Sequence, residues 1–431
     1  MTLNETSTVP HLTTALTGPF QNLERLMLDN QIVIEAWFRN AWRETQAPFY
    51  ASVDLRNAGY KIAPVDTNLF PAGFNNLNPS FEALCIHAVQ MAVESIAVPI
   101  DKILLVPENH TRNLFYMENI ASLQSIIEKA GFEVRVGSLM PDLDGPMKIE
   151  LESSRSVLLE PLQRDQNRVF LEDFNPDLIV LNNDLATGQP EIFKGIEQVI
   201  TPPTALGWSS RLKSNHFTFY QQVAQEFSEL IDIDPWLIDP MFRNCGEVDF
   251  MKREGVDCLS KNVAALLTAI QTKYDKHGVK CKPFVMVKAD AGTYGMGVMT
   301  IYDADEIAAL NRKERTKMAT TKEGQKVTKV IIQEGVYTHE KWGEDDTVAE
   351  PVVYMLGHQV VGGFYRVHAK RSSSQNLNAP GMRFEPLAFE DCCISPDPNQ
   401  DPDCHQNRFY TYGVIARLAL LAAAREIINV V

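Results

Sequence analysis

A lysine followed by a run of glycines is the segment of this sequence best suited to chemistry. Lys288 ends an apolar strand pattern, and a second strand pattern, Val298–Ile301, follows the glycines Gly292, Gly295 and Gly297. Backbone N–H groups of a glycine-rich hairpin can approach phosphate oxygens closely, and a lysine at its edge adds a positive charge. The spacing matches neither a dinucleotide-binding motif nor a P-loop, so a plain β-hairpin explains it about equally well.

Two further segments favour nucleotide binding over the plain hairpin. The strand pattern that ends in IIQEGV (331–336) contains Gln333, Glu334 and Val336, and its backbone could pair with the edge of an adenine ring. Upstream, RLKSNHF opens a helix with Lys213 in its first turn. This order of parts resembles the ATP-grasp fold, in which a lysine at the position of Lys213 contacts phosphate.

Five long segments carry a resemblance to one family. They are VDLRNAGYKIAPVDTNLFPAGFNNL (53–77), PENHTRNLFYMENI (107–120), VKADAGTYGMG (287–297), IIQEGVY (331–337) and GGFYRVHAKRSSSQNLNAPGMRFEPL (362–387). The chain resembles the proteobacterial-type glutamate–cysteine ligases, which are ATP-grasp enzymes of glutathione synthesis. The resemblance implies ATP-dependent joining of the glutamate γ-carboxylate to the cysteine amine through γ-glutamyl phosphate, with ATP and two Mg²⁺ ions as cofactors.

The expected magnesium ligands lie early in the chain rather than late. Ordinary ATP-grasp ligases carry an acidic-x-Asn pair on their last strand, whereas here Asp66-Thr67-Asn68 follows the strand pattern YKIAPV. The loop after it resembles that of the eukaryotic-type glutathione synthetase, which is a circularly permuted ATP-grasp enzyme. We therefore expect an α/β, permuted ATP-grasp fold, with Asp290 as a third metal ligand. Without the resemblance, turn capping ahead of a proline loop is the favoured interpretation of Asp66 and Asn68.

Three arginines are candidates for binding anionic groups of the substrates. Arg56 and Arg112 could each clamp a substrate carboxylate with two hydrogen bonds, and related ligases carry an arginine near the acyl phosphate at the position of Arg366. A surface ion pair is the commoner role of an arginine and remains the alternative for each. Arg366 and Lys288 are the predicted catalytic residues. The resemblance adds these residues to the predicted substrate site: Asn68, Phe70 and Asn75.

The elements that would position these residues alternate between strand and helix patterns. A strand at 102–106, an amphipathic helix at 113–130 and a strand at 132–136 form the unit from which doubly wound sheets are built. We predict three parts: 1–97 completes the ATP-grasp sheet and the substrate site, 98–205 is an inserted Rossmann-like substrate domain, and 206–431 is the nucleotide-binding domain. A mobile lid is expected within 303–350.

Composition and charge limit the class of protein. The chain has 431 residues, 45% of them hydrophobic, and 40 Lys and Arg against 55 Asp and Glu give a net charge of −15. This charge disfavours nucleic acid and anionic membranes as partners. The N-terminus does not resemble a secretory signal, no stretch reads as a membrane span, and an odd count of seven cysteines fits reduced thiols, so a cytoplasmic location is expected.

Three alternatives stay open. The group Cys392, Cys393, Cys404 and His405 could bind zinc, but its spacing is not a standard zinc pattern and a reduced proline-rich loop is favoured. The enzyme could instead be another carboxylate–amine ligase, such as a glutathione-synthetase-like enzyme. It could also be a non-catalytic ATP-binding module, although the joint presence of both lysines with the Asp-x-Asn pair argues against that.

Overall fold

A computed structural model describes residues 12–13, 19–291, 297–319, 327–343, 345–386 and 405–430. Gly292, Gly295 and the three cysteines of the predicted loop lie outside these residues. The helices are α1 Pro19–Asp29, α2 Gln31–Glu44, α3 Glu82–Glu94, α4 Leu114–Lys129, α5 Lys213–Ile231, α6 Val256–His277, α7 Asp305–Ala308, α8 Arg312–Ala319 and α9 His405–Ile428. The strands are β1 Leu12–Thr13, β2 Tyr50–Asn57, β3 Ile62–Asn68, β4 Lys102–Pro107, β5 Glu133–Ser138, β6 Met147–Glu150, β7 Ser156–Pro161, β8 Gln163–Asp165, β9 Arg168–Phe170, β10 Leu178–Asn182, β11 Val199–Thr201, β12 Phe242–Glu247, β13 Val285–Ala289, β14 Val298–Ile301, β15 Lys329–Glu334, β16 Lys341–Trp342, β17 Thr347–Leu356, β18 Gln359–Val367 and β19 Arg383–Pro386.

An antiparallel seven-stranded sheet joins the early and late parts of the chain. The long strand β17 pairs with β18 along one edge and with β16 and then β2 along the other, and β3 pairs with β2. The strand that bears Asp66 and Asn68 therefore lies in the same sheet as β18, which bears Arg366. This confirms the sequence-based expectation that the two strands share a sheet.

A second sheet of six strands is mostly parallel. Its order is β11-β10-β4-β5-β7-β6, and only β6 runs antiparallel to its neighbour. The predicted strand–helix–strand unit is confirmed as β4, α4 and β5. Asn182 at the end of β10 lies in register with Pro107 at the end of β4, so the carboxyl ends of these two strands meet at one edge of the sheet.

The lysine–glycine hairpin belongs to a third, antiparallel sheet with the order β12-β15-β13-β14. Lys288 on β13 pairs with Val298 on β14 and with Ile331 on β15. Gly297 precedes β14 with a φ of 63°, a left-handed conformation that glycine adopts without strain. The apolar face of this sheet packs on α6, and the predicted hairpin is confirmed.

The last helix, α9, is buried rather than laid on the surface. It contacts α1, α5 and the strands β2, β3 and β17, and its segment Val414–Ala416 is fully buried. Contact on several sides explains why its sequence is apolar around its whole circumference. Among the described residues, no helix is both long enough and apolar enough to cross a membrane.

Candidate active site

Two adjoining cavities form a cleft where the three sheets meet. The smaller, of about 90 Å³, lies between the four-stranded sheet and the strands β2 and β3. The larger, of about 760 Å³, lies between the seven-stranded sheet and the carboxyl ends of β4 and β10. Both cavities are lined by Asp54, Asp66, Trp208 and Asn378. A ligand in one cavity would therefore lie directly beside a ligand in the other.

Two lysines converge on the Asp66 end of β3. The Lys213 ammonium lies 2.7 Å from Asp66 Oδ1, and Lys288 Nζ donates to the Val65 carbonyl at 3.0 Å and to Gln333 Oε1 at 2.6 Å. Asp66 and Lys288 thus lie side by side although 222 positions separate them in the sequence (288 − 66). The expectation that Asp66 lies beside Lys288 is confirmed.

For both Asp66 and Lys288, burial and the neighbouring charges have opposite effects on the pKa. Burial alone would raise the pKa of Asp66, but the charges of Lys213 and Lys288 bring it down to about 2. Burial lowers the pKa of Lys288 to about 8, although the Asp66 carboxylate acts against this shift. Two cations share one carboxylate here, so the site has positive charge to offer to an anionic ligand such as a phosphate.

Asp290, which the sequence suggested as a metal ligand, has a different position. Its carboxylate accepts hydrogen bonds from the backbone N–H of Ser214 at 2.8 Å and from the Ser214 hydroxyl at 2.7 Å. Its carbonyl accepts the N–H of Lys213 at 2.8 Å. Asp290 therefore holds the start of α5 against the end of β13, and it does not line either cavity.

Asn68 makes the turn-capping contact and also lines a cavity. Its Oδ1 accepts the N–H of Phe70 at 2.9 Å, which is the turn-capping contact, while both residues line the larger cavity. Asp66 and Asn68 are two positions apart on one strand, so both side chains lie on the same face of the sheet. Asn75 does not line the cavity, whereas its neighbour Asn76 does.

Arg366 lines the larger cavity, where it forms a network with two carboxylates. Its Nη1 lies 2.7 Å from Asp54 Oδ2 and 2.8 Å from Glu350 Oε1. Its Nε is buried without a hydrogen-bond partner among the described residues. Burial raises the pKa of Asp54, and the Arg366 charge acts against this shift. A guanidinium with an unused N–H beside the cleft is suited to an anionic transition state.

Arg56 does not have the free donors that a carboxylate clamp requires. Its Nε pairs with Glu350 Oε2 at 2.9 Å, and its terminal nitrogens donate to the carbonyls of Val336, Ser373 and Gln375 at 3.1, 3.3 and 2.5 Å. Arg56 therefore fixes the linker after β15 to β2 and β17. Arg112 is exposed on the turn after β4 and lines neither cavity. Of the three arginines, Arg56 lines the smaller cavity and Arg366 the larger one.

The strand β15 presents one of its predicted side chains to the smaller cavity and buries another. Gln333 lines that cavity, and its Nε2 has no hydrogen-bond partner in the described part of the chain. The Glu334 carboxylate instead forms a fully buried pair with Lys61 Nζ at 2.9 Å and accepts from Trp236 Nε1 at 3.0 Å. Burial raises the pKa of Glu334, and Lys61 acts against this shift. The Glu334 carboxylate is therefore not available to an adenine edge, and its backbone N–H already donates to the Met241 carbonyl at 2.7 Å.

Several residues of the site were missed by sequence reasoning. Asp54 had no assigned role because it does not belong to a spaced motif. Arg211 pairs with the fully buried Glu426 of α9 at 2.8 Å, and its Nη1 donates to the Thr67 carbonyl at 2.6 Å. This contact fixes the backbone between Asp66 and Asn68. Asp54 lies in the segment 53–77 that carries the family resemblance, which could have indicated a role, but the strand β2 that contains it was not predicted.

The donor set fits a magnesium ion that is shared with phosphate. Within the described ranges, no group of three or more His, Cys, Asp or Glu side chains is arranged to hold a metal alone. Mg²⁺ usually binds one or two carboxylates and completes its octahedron with substrate phosphates and water. Asp66 and Asn68 supply oxygen atoms of that kind next to the two lysines.

Comparison with known proteins identifies the class. A family model described as Glutamate-cysteine ligase matches residues 24–427, so the chain belongs to that family. It is therefore a ligase that joins glutamate to cysteine in glutathione synthesis. The crystal structure of a protein named "Putative gamma-glutamylcysteine synthetase" from Methylobacillus flagellatus KT is 57% identical, covers 98% of this chain and 99% of its own, and superposes with a TM-score of 0.91.

Two more distant structures have TM-scores too low to support an argument. They are a glutathione synthetase-like effector from Globodera pallida (10% identity, 82% of this chain and 80% of that one, TM-score 0.38) and a D-alanyl-alanine synthetase A from Vibrio cholerae (11% identity, 75% and 82%, TM-score 0.35). No curated protein matches the chain.

Proposed function

We propose that this enzyme activates the γ-carboxylate of L-glutamate with ATP and Mg²⁺ and transfers the γ-glutamyl group to the amine of L-cysteine. The observation that carries the proposal is the convergence of Lys213 and Lys288 on Asp66, at the border between a small cavity and a larger one. The lysines and Gln333 that line the small cavity mark the side on which the nucleotide would bind, and the large cavity has room for two amino acids.

The sheet arrangement supports a circularly permuted ATP-grasp fold. The four-stranded sheet carries the lysine–glycine hairpin and the adenine-type strand β15, while the opposing strand β3, from the N-terminal part of the chain, carries Asp66 and Asn68. The division at 1–97, 98–205 and 206–431 follows the same scheme, with the six-stranded sheet as the inserted, Rossmann-like substrate domain. A lid within 303–350 remains part of the proposal.

The reaction needs positioning and charge neutralisation more than covalent chemistry by a side chain. An oxygen of the glutamate γ-carboxylate attacks the γ-phosphorus of ATP, the bond to the β-phosphate oxygen breaks, and ADP leaves. Lys213 and Lys288 neutralise the transferring phosphoryl group. Mg²⁺, held by Asp66 and Asn68, would offset the remaining phosphate charge. Asp54 lies opposite Asp66 in the strand register, and we propose it as the third metal ligand in place of Asp290.

In the second step, the cysteine amine attacks the acyl carbon of γ-glutamyl phosphate. The amide bond forms, phosphate leaves, and the amine loses its proton. Arg366 lies where the acyl phosphate and the tetrahedral intermediate would be, and its unpartnered Nε is a donor for their negative charge. The cysteines described by the structure are free thiols, which is consistent with a cytoplasmic enzyme.

The substrate pair is tested by the release of ADP. We expect glutamate with cysteine to drive ADP formation, and γ-glutamylcysteine with glycine to leave it at background. The reverse pattern would identify a glutathione-synthetase-like enzyme and overturn the proposal. Absence of ADP formation with either pair, in a preparation that binds ATP, would indicate a non-catalytic nucleotide-binding module.

A further inference from the structure

We propose that Asp184, supported by Glu108, binds the α-ammonium group of glutamate at the end of the larger cavity. This inference rests on the proposed function, because it assigns one group of the proposed substrate to a subsite. Neither residue belongs to the lysine, metal or arginine groups described above.

The carboxylate of Asp184 has an oxygen that the protein does not use. Asp184 is only 4% exposed, and it lines the larger cavity. Its Oδ1 accepts the N–H of Ala186 at 2.9 Å, whereas Oδ2 is buried without a hydrogen-bond partner among the residues described. A buried carboxylate oxygen without a partner is costly, so this oxygen calls for a donor from the ligand.

The fold places Asp184 where a ligand is expected. It follows β10, and Glu108 follows β4, so both lie just beyond the carboxyl ends of neighbouring parallel strands. Ligands of open α/β sheets bind in the crevice outside these strand ends. Glu108 Oε1 accepts the N–H of Asp184 at 2.7 Å and Glu108 lines the same cavity, which brings a second carboxylate to this end.

The chemistry of the subsite favours an ammonium group over other ligands. Two carboxylates repel an anionic group, and an alkylammonium ion donates three hydrogen bonds to oxygens of this kind. A divalent metal held by protein side chains alone is disfavoured, because the described residues contain no group of three or more His, Cys, Asp or Glu arranged for one. The charge at this end therefore selects a cationic part of a substrate.

The reaction decides which of the two substrate amines binds here. The cysteine amine must reach the acyl carbon beside Arg366 and lose its proton, so it cannot be held by a carboxylate pair elsewhere. The α-ammonium of glutamate keeps its charge throughout and lies at the other end of the molecule from the reacting γ-carboxylate. The backbone carbonyl of Asp184 accepts the N–H of Trp208 at 2.7 Å, and Trp208 lines both cavities, so this end lies close to the reacting centre.

A purely structural role for Asp184 is the competing explanation. Its Oδ1 bond to Ala186 is an Asx turn, and asparagine forms the same turn. Asp184→Asn therefore keeps the turn and replaces only the unpartnered Oδ2 with an amide that cannot accept a hydrogen bond from an ammonium group. Asp165→Asn, on an exposed hairpin position, is the matched control.

The test compares the kinetics of the wild-type enzyme and the two variants. In Asp184→Asn we expect kcat/KM for glutamate to fall by about 10- to 100-fold, the value of a hydrogen bond to a charged group, while the KM values for cysteine and ATP change little. Asp165→Asn should match the wild type. Glutarate is glutamate without its amino group. It should inhibit the wild type and Asp184→Asn equally, because it has no ammonium group that could contact Asp184.

The outcomes separate this inference from the proposed function. An unchanged kcat/KM for glutamate in Asp184→Asn, or an equal loss for all three substrates, would overturn the ammonium subsite. A loss for cysteine alone would assign Asp184 to the other amino acid and would also overturn it. Failure of the wild type to release ADP with glutamate and cysteine would overturn the proposed function instead.

Discussion

A lysine with a lowered pKa is the main feature of the site at the scale of single residues. Lys288 lies beside Asp66 and Lys213, and burial brings its pKa to about 8. In the unliganded enzyme it therefore loses its charge as the pH rises through that value. Bound phosphate favours the charged form, so nucleotide affinity and the protonation of Lys288 are linked.

We expect ATP affinity to fall as the pH rises above about 8, the pKa of Lys288. Lys288→Arg keeps its positive charge over this range and should lose the alkaline decrease, whereas Lys288→Met should bind ATP weakly at every pH. Calorimetric titration with ATP alone, between acidic and alkaline buffers, measures this without interference from the cysteine thiol. An alkaline decrease that persists unchanged in Lys288→Arg would show that another group is responsible.

At the scale of elements, the buried helix α9 supports β3, the strand that carries the proposed metal ligands. Glu426 pairs with Arg211, and Arg211 donates to the carbonyl of Thr67. Burial would raise the pKa of Glu426, but the charge of Arg211 and the contact with His216 lower it to about 2. The last helix thus stabilises a strand from the beginning of the chain, which ties the two ends of the sequence together.

Glu426→Gln should destabilise the fold by about 3 kcal/mol or more, since it leaves the buried Arg211 without its counter-charge. Glu226→Gln is the control: Glu226 pairs with Arg425 between the same helices, α5 and α9, but at the surface, and should cost less than about 1 kcal/mol. Urea unfolding measures both values.

The lowered pKa of Glu426 predicts how the stability difference between the wild type and Glu426→Gln depends on pH. Because the pKa of Glu426 is lower in the folded protein than its value of 4.5 in the unfolded chain, its charge stabilises the fold above pH 4.5. This contribution is lost as the pH falls towards about 2. The difference between wild type and Glu426→Gln should therefore shrink in acid. A difference that stays constant down to the lowest pH would contradict the role of the Glu426 charge.

Local patterns in the sequence were sufficient for the elements but not for all of the contacts. The hairpin around Lys288, the start of α5 at Lys213 and the unit β4–α4–β5 were predicted because apolar periodicity and glycine positions are local signals. The contacts of Arg56 with Glu350 and of Asp290 with Ser214 were not predicted, because these partners lie far away in the sequence. Spacing alone contains no information on such pairs.

At the scale of the whole molecule, the site exists only because three sheets meet. The proposed metal ligands lie on the seven-stranded sheet, Lys288 on the four-stranded sheet, and Asp184 at the edge of the six-stranded sheet. One contact between the sheets is the buried ion pair of Lys61 and Glu334, which holds the β2–β3 hairpin against β15. Only the resemblance of long segments to a permuted family suggested this arrangement in advance, since no single motif spans the sheets.

The central claim is that Asp66 and the two lysines hold a metal–nucleotide complex between these sheets. The most direct test is a crystal structure with a non-hydrolysable ATP analogue and Mn²⁺, in which anomalous scattering locates the metal. We expect an Mn²⁺ peak coordinated by Asp66 and by the phosphates of the analogue, with the ammonium groups of Lys213 and Lys288 on those phosphates and the adenine beside Gln333. A metal and nucleotide bound elsewhere in the molecule, with Asp66 still paired only with Lys213, would contradict the account.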